Sequence, residues 1–147
     1  MKRFPLWLLV VAVGLAVAAD DPPKDDVAKE KEKLLGTWVG VSGESYGIKI
    51  ADDENKKTKL VISTDKITLP NVDLELTYEV DPTKNPKTIN VKFTKGPNKD
   101  VQMIGIYKLD KDTLTLCMDE SGKDRPTKFE TKKRTEQTLL VLKREKP

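Results

Sequence analysis

The side chains of this sequence that could do chemistry lack the partners that catalysis requires. The chain contains no histidine and one cysteine, Cys117. Without histidine it builds neither a Ser-His-Asp or Cys-His nucleophile system nor the usual ligand sets of a catalytic zinc. Asp119 and Glu120 are adjacent at the end of a predicted strand, so their carboxylates point in different directions and do not form the opposed pair of a glycoside hydrolase. The sequence therefore predicts a protein that is not an enzyme and holds no cofactor or metal.

One acidic run has the composition of a calcium loop. Asp52-Asp53-Glu54-Asn55 places four oxygen-bearing side chains together. Calcium takes about six to eight oxygen ligands in one geometry, and the run lacks the spaced ligands and central glycine of an EF-hand. We therefore interpret it as a solvated hairpin.

Cys117 is the most reactive side chain of the sequence. In a strand it shares a face with Thr113 and Thr115, opposite Leu114 and Leu116. No histidine and no cluster of basic neighbours is placed to lower the pKa of its thiol. A buried, inert thiol is the favoured interpretation, and a redox or intermolecular-disulfide role is the alternative.

The elements that position these side chains are mostly strands. Residues 27–34 predict a short helix capped by Asp26 and ended by Gly36. From Gly36 onward the apolar pattern has period two, and the predicted strands are 37–42, 46–51, 60–64, 66–69, 74–80, 88–94, 101–109, 113–118, 127–131 and 138–143. Short Gly, Pro and Asp turns separate them, and such turns join antiparallel neighbours, whereas parallel strands need long crossovers. The predicted fold is mainly β, an antiparallel meander of about 8–10 strands in a closed barrel or rolled sandwich.

Two predicted strands are apolar on both faces, around residues 103–107 and 139–142. A strand of this kind is covered on its outer side as well as on its inner side. We expect the N-terminal helix to be that cover.

The N-terminus has the pattern of a secretory signal peptide. Lys2 and Arg3 precede an apolar run, residues 6–17, and small residues follow at Ala18 and Ala19, where cleavage is expected. A retained anchor is the alternative, but the run is shorter than the roughly 20 residues that span a bilayer. The predicted organisation is a signal peptide at 1–19, a flexible leader at 20–26 and one barrel domain at 27–147. This predicts a periplasmic or extracellular protein without a membrane span after cleavage.

The charge of the chain argues against nucleic-acid binding. The formal net charge of the whole chain is +3, and loss of Lys2 and Arg3 lowers it to +1. Both signs are interspersed, whereas nucleic-acid binding needs a clustered basic stripe. The local run Lys132-Lys133-Arg134 is interpreted as a solvated loop.

Several motifs together resemble a family of uncharacterised secreted proteins from planctomycetes. They are Leu35-Gly36-Thr37-Trp38, and then, within residues 105–129, Gly-Ile-Tyr, a Leu-Asp-x-Asp-Thr-Leu hairpin, Leu-Cys and Arg-Pro-x-x-Phe. The family hairpin commonly reads Asp-Gly-Asp, and Lys111 stands at the glycine position here. This resemblance implies export and a domain type but no activity.

A second resemblance concerns Gly36-x-Trp38 at the start of the first strand, which is similar to the opening motif of lipocalins. The resemblance implies that Trp38 closes one end of a barrel and that a basic residue near the last strand, Arg144, packs across its ring. A cation over an aromatic face stabilises by roughly 0.5–2 kcal/mol. The alternative is that Trp38 is an ordinary core aromatic.

Arg125, Pro126 and Phe129 form the last motif. In the functional interpretation Arg125 lies at a pocket mouth and meets an anionic ligand. In the structural one Arg125 ties a loop to backbone carbonyls while Phe129 plugs the barrel. Because Pro126 restricts the backbone, the structural interpretation is favoured.

Two classes of function remain. A barrel of about eight strands has just enough room for side chains or one small ligand. The first prediction is a lipocalin-like protein that binds a small apolar or amphipathic ligand, with the expected ligand-binding residues Trp38, Tyr78, Phe93, Tyr107 and Arg125. The second is a structural or protein-interaction module of the cell envelope with a filled core.

Overall fold

The computed structural model describes residues 21–146, so the predicted signal peptide and its cleavage site lie outside the described residues. Two α-helices, α1 and α2, and nine strands, β1–β9, follow one another along the chain. Their bounds are α1 Lys24–Leu34, β1 Gly36–Ser45, β2 Ile48–Lys49, α2 Asp52–Lys57, β3 Lys59–Ile62, β4 Lys66–Leu69, β5 Leu74–Asp81, β6 Lys87–Phe93, β7 Gln102–Asp110, β8 Thr113–Asp119 and β9 Gln137–Arg144, with one 3₁₀ turn at Pro70–Val72.

The strands form one closed antiparallel barrel. Neighbours pair in the order β2-β1-β3-β4-β5-β6-β7-β8-β9, and β1 also pairs with β9. Eight strands therefore close on themselves, and β2 is an additional short strand beside β1. The predicted fold class, an antiparallel barrel with a short N-terminal helix, is confirmed.

Side chains along each strand point alternately into and out of the barrel, and this alternation decides which of them fill its interior. Tyr78 of β5 pairs with Val91 of β6, and Val80 pairs with Ile89. All four are buried in one core that also contains Trp38. Since successive side chains of a strand point to opposite faces, their polar neighbours lie outside.

Helix α1 crosses one end of the barrel. Leu34 belongs to the core, and its carbonyl oxygen accepts a hydrogen bond of 2.9 Å from Trp38 Nε1. The helix begins at Lys24, within the predicted leader, and Pro23 stands at the cap position without a side-chain cap, so the predicted cap at Asp26 is wrong. The expectation that this helix covers the outside of the sheet is also wrong, because its apolar side chains Val27 and Leu34 join the inner core. No helix within residues 21–146 is long and apolar enough to cross a membrane.

Helix α2 replaces the hairpin predicted at Asp52-Asp53-Glu54-Asn55. The strand predicted at 46–51 is reduced to the two residues of β2, and Asp52–Lys57 form a helix of six residues. Gly40 and Gly43 of β1 permit this packing. A Cβ at Gly40 would overlap the Asn55 carbonyl oxygen, and one at Gly43 would lie 2.9 Å from Asn55 Oδ1.

The outer cover of β6–β9 is an irregular segment, residues 120–136, which we call the crossing loop. A strand was predicted at 127–131, but no strand forms there. Polar groups of this segment bond the outer face of the barrel and do not pair in a strand ladder. Arg125 donates to the carbonyl oxygens of Ile89 and Gly105, and the Glu130 carbonyl oxygen accepts from Cys117 Sγ. Ile106 and Cys117, on the outer face, are thereby 1% and 0% exposed.

Candidate functional site

Three of the predicted ligand-binding residues place their aromatic rings in the barrel core. Trp38, Tyr107 and Tyr78 are 0%, 1% and 3% exposed, and they pack in the same cluster. Phe93 is partly buried against that cluster. The Tyr78 hydroxyl donates to the Ser63 carbonyl oxygen at 2.7 Å, and burial together with the charge of Asp65 raises the pKa of Tyr78 to about 12. These side chains fill space inside the barrel with their own rings.

Arg144 lies across Trp38 at the end closed by α1. The guanidinium carbon is 4.3 Å from the centre of the indole ring. The same side chain donates to the carbonyl oxygens of Leu35 and Lys33 and to Asp112, so it links the end of α1 to the β7–β8 turn. Gly36 has φ +129°, and a Cβ there would lie 3.0 Å from Arg144 Nη1. Glycine at this position therefore leaves room for the guanidinium group.

Glu30 is a buried carboxylate that sequence analysis did not identify. It is 3% exposed, and its Oε1 accepts hydrogen bonds from Lys87 Nζ at 2.7 Å and from the Tyr107 hydroxyl at 3.0 Å. Burial raises the pKa of Glu30, but the bonds from Lys87 and Tyr107 and the positive charges of Lys87 and Lys33 outweigh it, so the pKa lies below its ordinary value. The only sequence signal is spacing, because Val27, Glu30 and Leu34 fall on one helical face.

Asp119 holds the start of the crossing loop. Its Oδ2 accepts hydrogen bonds from Ser121 Oγ at 2.6 Å and from the amides of Lys123 and Asp124 at 3.0 and 2.9 Å. Burial raises the pKa of Asp119, but these bonds outweigh it and the net shift is downward. Its partners are those of a residue that organises a turn.

Cys117 lies beneath the crossing loop. The thiol is fully buried on the outer face of β8, 3.6 Å from the Glu130 carbonyl oxygen. Burial raises the pKa of the Cys117 thiol and outweighs the hydrogen bond to the Glu130 carbonyl oxygen, which lowers it, and the charges of Glu130 and Glu44 add to the upward shift. Because the thiolate is the reactive form, this environment lowers the reactivity of the group.

Arg125 lies on the outer face of the barrel. Its Nη1 donates to the carbonyl oxygens of Ile89 at 3.2 Å and Gly105 at 2.7 Å, and its Nη2 donates to Asn90 Oδ1 at 2.6 Å. Phe129 also lies outside the barrel, with Lys108 Nζ 4.6 Å from the centre of its ring. The structure thus brings Arg125 to backbone carbonyls, but it does not bring Phe129 into the barrel.

Arg125 lines a cavity of about 600 Å³ between α1, the β5–β6 hairpin and the crossing loop. We call this cavity the outer groove. Its charged lining residues are three cations, Lys31, Lys84 and Arg125, and three carboxylates, Asp21, Glu79 and Asp81. Thr88 and Asn90 supply uncharged polar groups between them. Ligand sites in proteins commonly measure about 300–1,000 Å³.

Some charged side chains of the outer groove already have hydrogen-bond partners within the protein, and others do not. Lys31 Nζ donates to the Thr64 carbonyl oxygen at 3.1 Å and lies 4.5 Å from the Tyr78 ring centre. Asp81 accepts hydrogen bonds from Thr83. The side chains of Asp21, Glu79 and Lys84 form no hydrogen bond or ion pair with any other residue in the described range 21–146. Two carboxylates and one ammonium group in this cavity are therefore without a partner in that range and can meet a ligand.

Within residues 21–146, no group of three or more Cys, Asp or Glu side chains is arranged to hold a metal ion. Comparisons with protein-family models, with curated proteins and with solved structures find no match for this chain.

Proposed function

We propose that the protein is an exported, non-enzymatic, lipocalin-like barrel that binds a small polar ligand of both charge signs in the outer groove. The observation that carries this proposal is a contrast between two regions. The interior rings of Trp38, Tyr78 and Tyr107 are buried in one core cluster, whereas Arg125 lines an open cavity of about 600 Å³. A ligand that enters the outer groove displaces water and no core side chain.

The lining of the groove supports a zwitterionic ligand. Glu79 offers an unpaired carboxylate, and Lys84 offers an unpaired ammonium group on the same cavity. Arg125 is partly desolvated, and burial lowers its pKa, so its remaining N–H groups favour a hydrogen-bonding anionic partner. Apolar lining comes from Pro22, Val27 and Val80. This mixture suits a ligand that carries a carboxylate or phosphate and an ammonium group.

The small apolar or amphipathic ligand expected inside the barrel stays a prediction. To enter, it would have to open one end of the barrel and separate rings that are at most 3% exposed. The second candidate function is a filled-core structural or protein-interaction module of the cell envelope. The dense packing of the interior favours it over an interior ligand. Membership in the planctomycete secreted family remains part of the proposal.

Native mass spectrometry of protein purified from its exported fraction tests these functions. We expect a retained small-molecule mass that disappears in the double variant Glu79→Gln/Lys84→Gln. The matched control is Asp53→Asn/Lys56→Gln, which makes the same charge changes on α2 and should keep the mass. A mass retained by both variants would place the ligand elsewhere, and a stable second chain in its place would favour the protein-interaction module.

A further inference from the structure

A second surface lies on another part of the barrel, where the turn between β1 and β2 meets the crossing loop. The Gly47 amide donates to Thr131 Oγ1 at 3.1 Å, and a Cβ on Gly47 would lie 2.6 Å from the Lys133 amide nitrogen. This contact joins residues 46–49 to the run Lys132-Lys133-Arg134, which lies more than eighty residues later in the sequence. The two segments form one surface, which we call the basic corner.

The basic corner combines exposed cations with exposed apolar side chains. Lys49, Lys132, Lys133 and Arg134 are all exposed. None of the four cations makes an ion pair with another residue of the described part of the chain. Ile48 is 67% exposed, which is the largest exposed fraction among the large apolar side chains found on the surface of residues 21–146.

Tyr46 belongs to the turn of the basic corner and has an unusual backbone conformation. Tyr46 and Gly47 have φ of 53° and 76°, as a two-residue hairpin turn requires, but this conformation is uncommon for a bulky residue. The Tyr46 hydroxyl donates to Glu120 Oε2 at 2.9 Å, while the residue stays 43% exposed. The turn therefore holds an aromatic ring partly at the surface, two positions before Ile48 in the chain.

Carboxylates near the basic corner are partly engaged by the barrel. Glu120 accepts hydrogen bonds from Tyr46 and Thr138, and Glu44 accepts one from Thr131. Glu136 is exposed and lies near Tyr46. The four cations, by contrast, have no ion-pair partner in the described part of the chain, so unpaired positive charge and the exposed side chains of Ile48 and Tyr46 lie on the same corner.

We propose that the basic corner binds the surface of an anionic lipid bilayer, with Ile48 and the Tyr46 ring entering the interface. Lysine and arginine near an anionic bilayer are attracted to its headgroups, and tyrosine is favoured at the depth of those headgroups. Peripheral attachment is stable when electrostatic attraction and apolar insertion act together. The basic corner supplies both, and this attachment is independent of any ligand in the outer groove.

Vesicle co-sedimentation tests the proposal with the chain that begins at Asp20, which contains every element of the closed barrel and lacks the apolar run at 6–17. We expect the protein to sediment with phosphatidylcholine vesicles that contain phosphatidylglycerol and not with phosphatidylcholine alone. Lys132→Gln/Lys133→Gln should weaken the partition coefficient by roughly tenfold or more. Ile48→Ser should weaken it by up to about tenfold, because the side chain no longer inserts.

Two matched variants control for general effects of charge and polarity. Lys56→Gln/Lys57→Gln removes two exposed cations from α2, and Val72→Ser removes an apolar side chain that is 61% exposed. Both should leave sedimentation unchanged. Equal sedimentation on neutral and anionic vesicles, no sedimentation, or equal losses in the control variants would overturn the proposal. Binding to soluble polyglutamate as tight as to vesicles, unaffected by Ile48→Ser, would overturn it in favour of an acidic protein partner.

Discussion

The Tyr107 hydroxyl donates a 3.0 Å hydrogen bond to Glu30 Oε1, so a barrel strand and the N-terminal helix share one buried carboxylate. Lys87 Nζ approaches the same oxygen at 2.7 Å, and Lys33 Nζ lies 3.5 Å from the other. A buried carboxylate is stabilised only when it is paired and hydrogen-bonded, and Glu30 has both kinds of partner. This cluster holds α1 across the end of the barrel.

Replacement of Glu30 by glutamine should lower the free energy of unfolding by about 1–3 kcal/mol, because Lys87 and Tyr107 lose a charged acceptor. Urea unfolding of the two proteins measures the change. Glu32→Gln on the exposed side of the same helix is the control, and it should change stability by less than about 0.5 kcal/mol. Equal effects of the two substitutions would contradict the role of the cluster.

The contribution of Glu30 should depend on pH in a defined direction. Its folded pKa lies below the ordinary value of 4.5, so the unfolded chain binds the proton more readily. The stabilisation is therefore complete above that ordinary value and is lost as the pH falls through the folded pKa. Measured from neutral to acidic pH, the difference in unfolding free energy between wild type and Glu30→Gln should shrink only at the acidic end.

Removal of the Arg144 guanidinium should open the end of the barrel at Trp38. Arg144→Leu loses the contact across the indole ring and the hydrogen bonds to Leu35 and Lys33, at a cost of about 1–3 kcal/mol. Trp38 is the only tryptophan after the predicted signal peptide, so its fluorescence reports the site. The emission of the variant should shift to longer wavelength, while Lys143→Leu on the exposed face of β9 should leave it unchanged.

Alanine at Gly105 should overpack the barrel. A Cβ there would overlap Met118 Sδ and the Cys117 carbonyl oxygen. Overpacking of this kind costs about 1–3 kcal/mol. In a double-mutant cycle, Met118→Ala should recover part of the loss, since it removes the flexible neighbour but not the backbone one. A purely additive cycle would show that Gly105 and Met118 do not compete for the same space.

Release of Arg125 should expose Cys117. Arg125→Ala removes three hydrogen bonds that attach the crossing loop to β6 and β7, and Cys117 is buried beneath that loop. We expect the thiol to react with a disulfide reagent at least about tenfold faster at neutral pH, because local opening needs less free energy. Lys128→Ala, an exposed position of the same loop, should react at the wild-type rate.

The sequence by itself determined the strands and turns whose conformation depends on residues close together in the chain. Period two along 74–80 and 88–94 predicted β5 and β6, and short turns required antiparallel pairing, because a turn of a few residues cannot support a crossover. The helix α2 was missed since its six residues are all polar and carry no apolar periodicity. The sequence signal for α2 was weaker than an apolar pattern: three acidic residues stand in its first turn and two lysines in its last turn, an order that the helix dipole favours.

Only the tertiary structure decided which distant side chains meet. Glu30 and Tyr107 are separated by 77 positions, and the closure of β1 onto β9 brings their elements together. The Arg125-Pro126 motif was visible in the sequence, but the fold decided that Arg125 lies in an outer groove and that Trp38, Tyr78 and Tyr107 fill the interior. The physical reason is that local patterns specify backbone conformation, whereas the position of a binding surface depends on contacts between residues far apart in the chain.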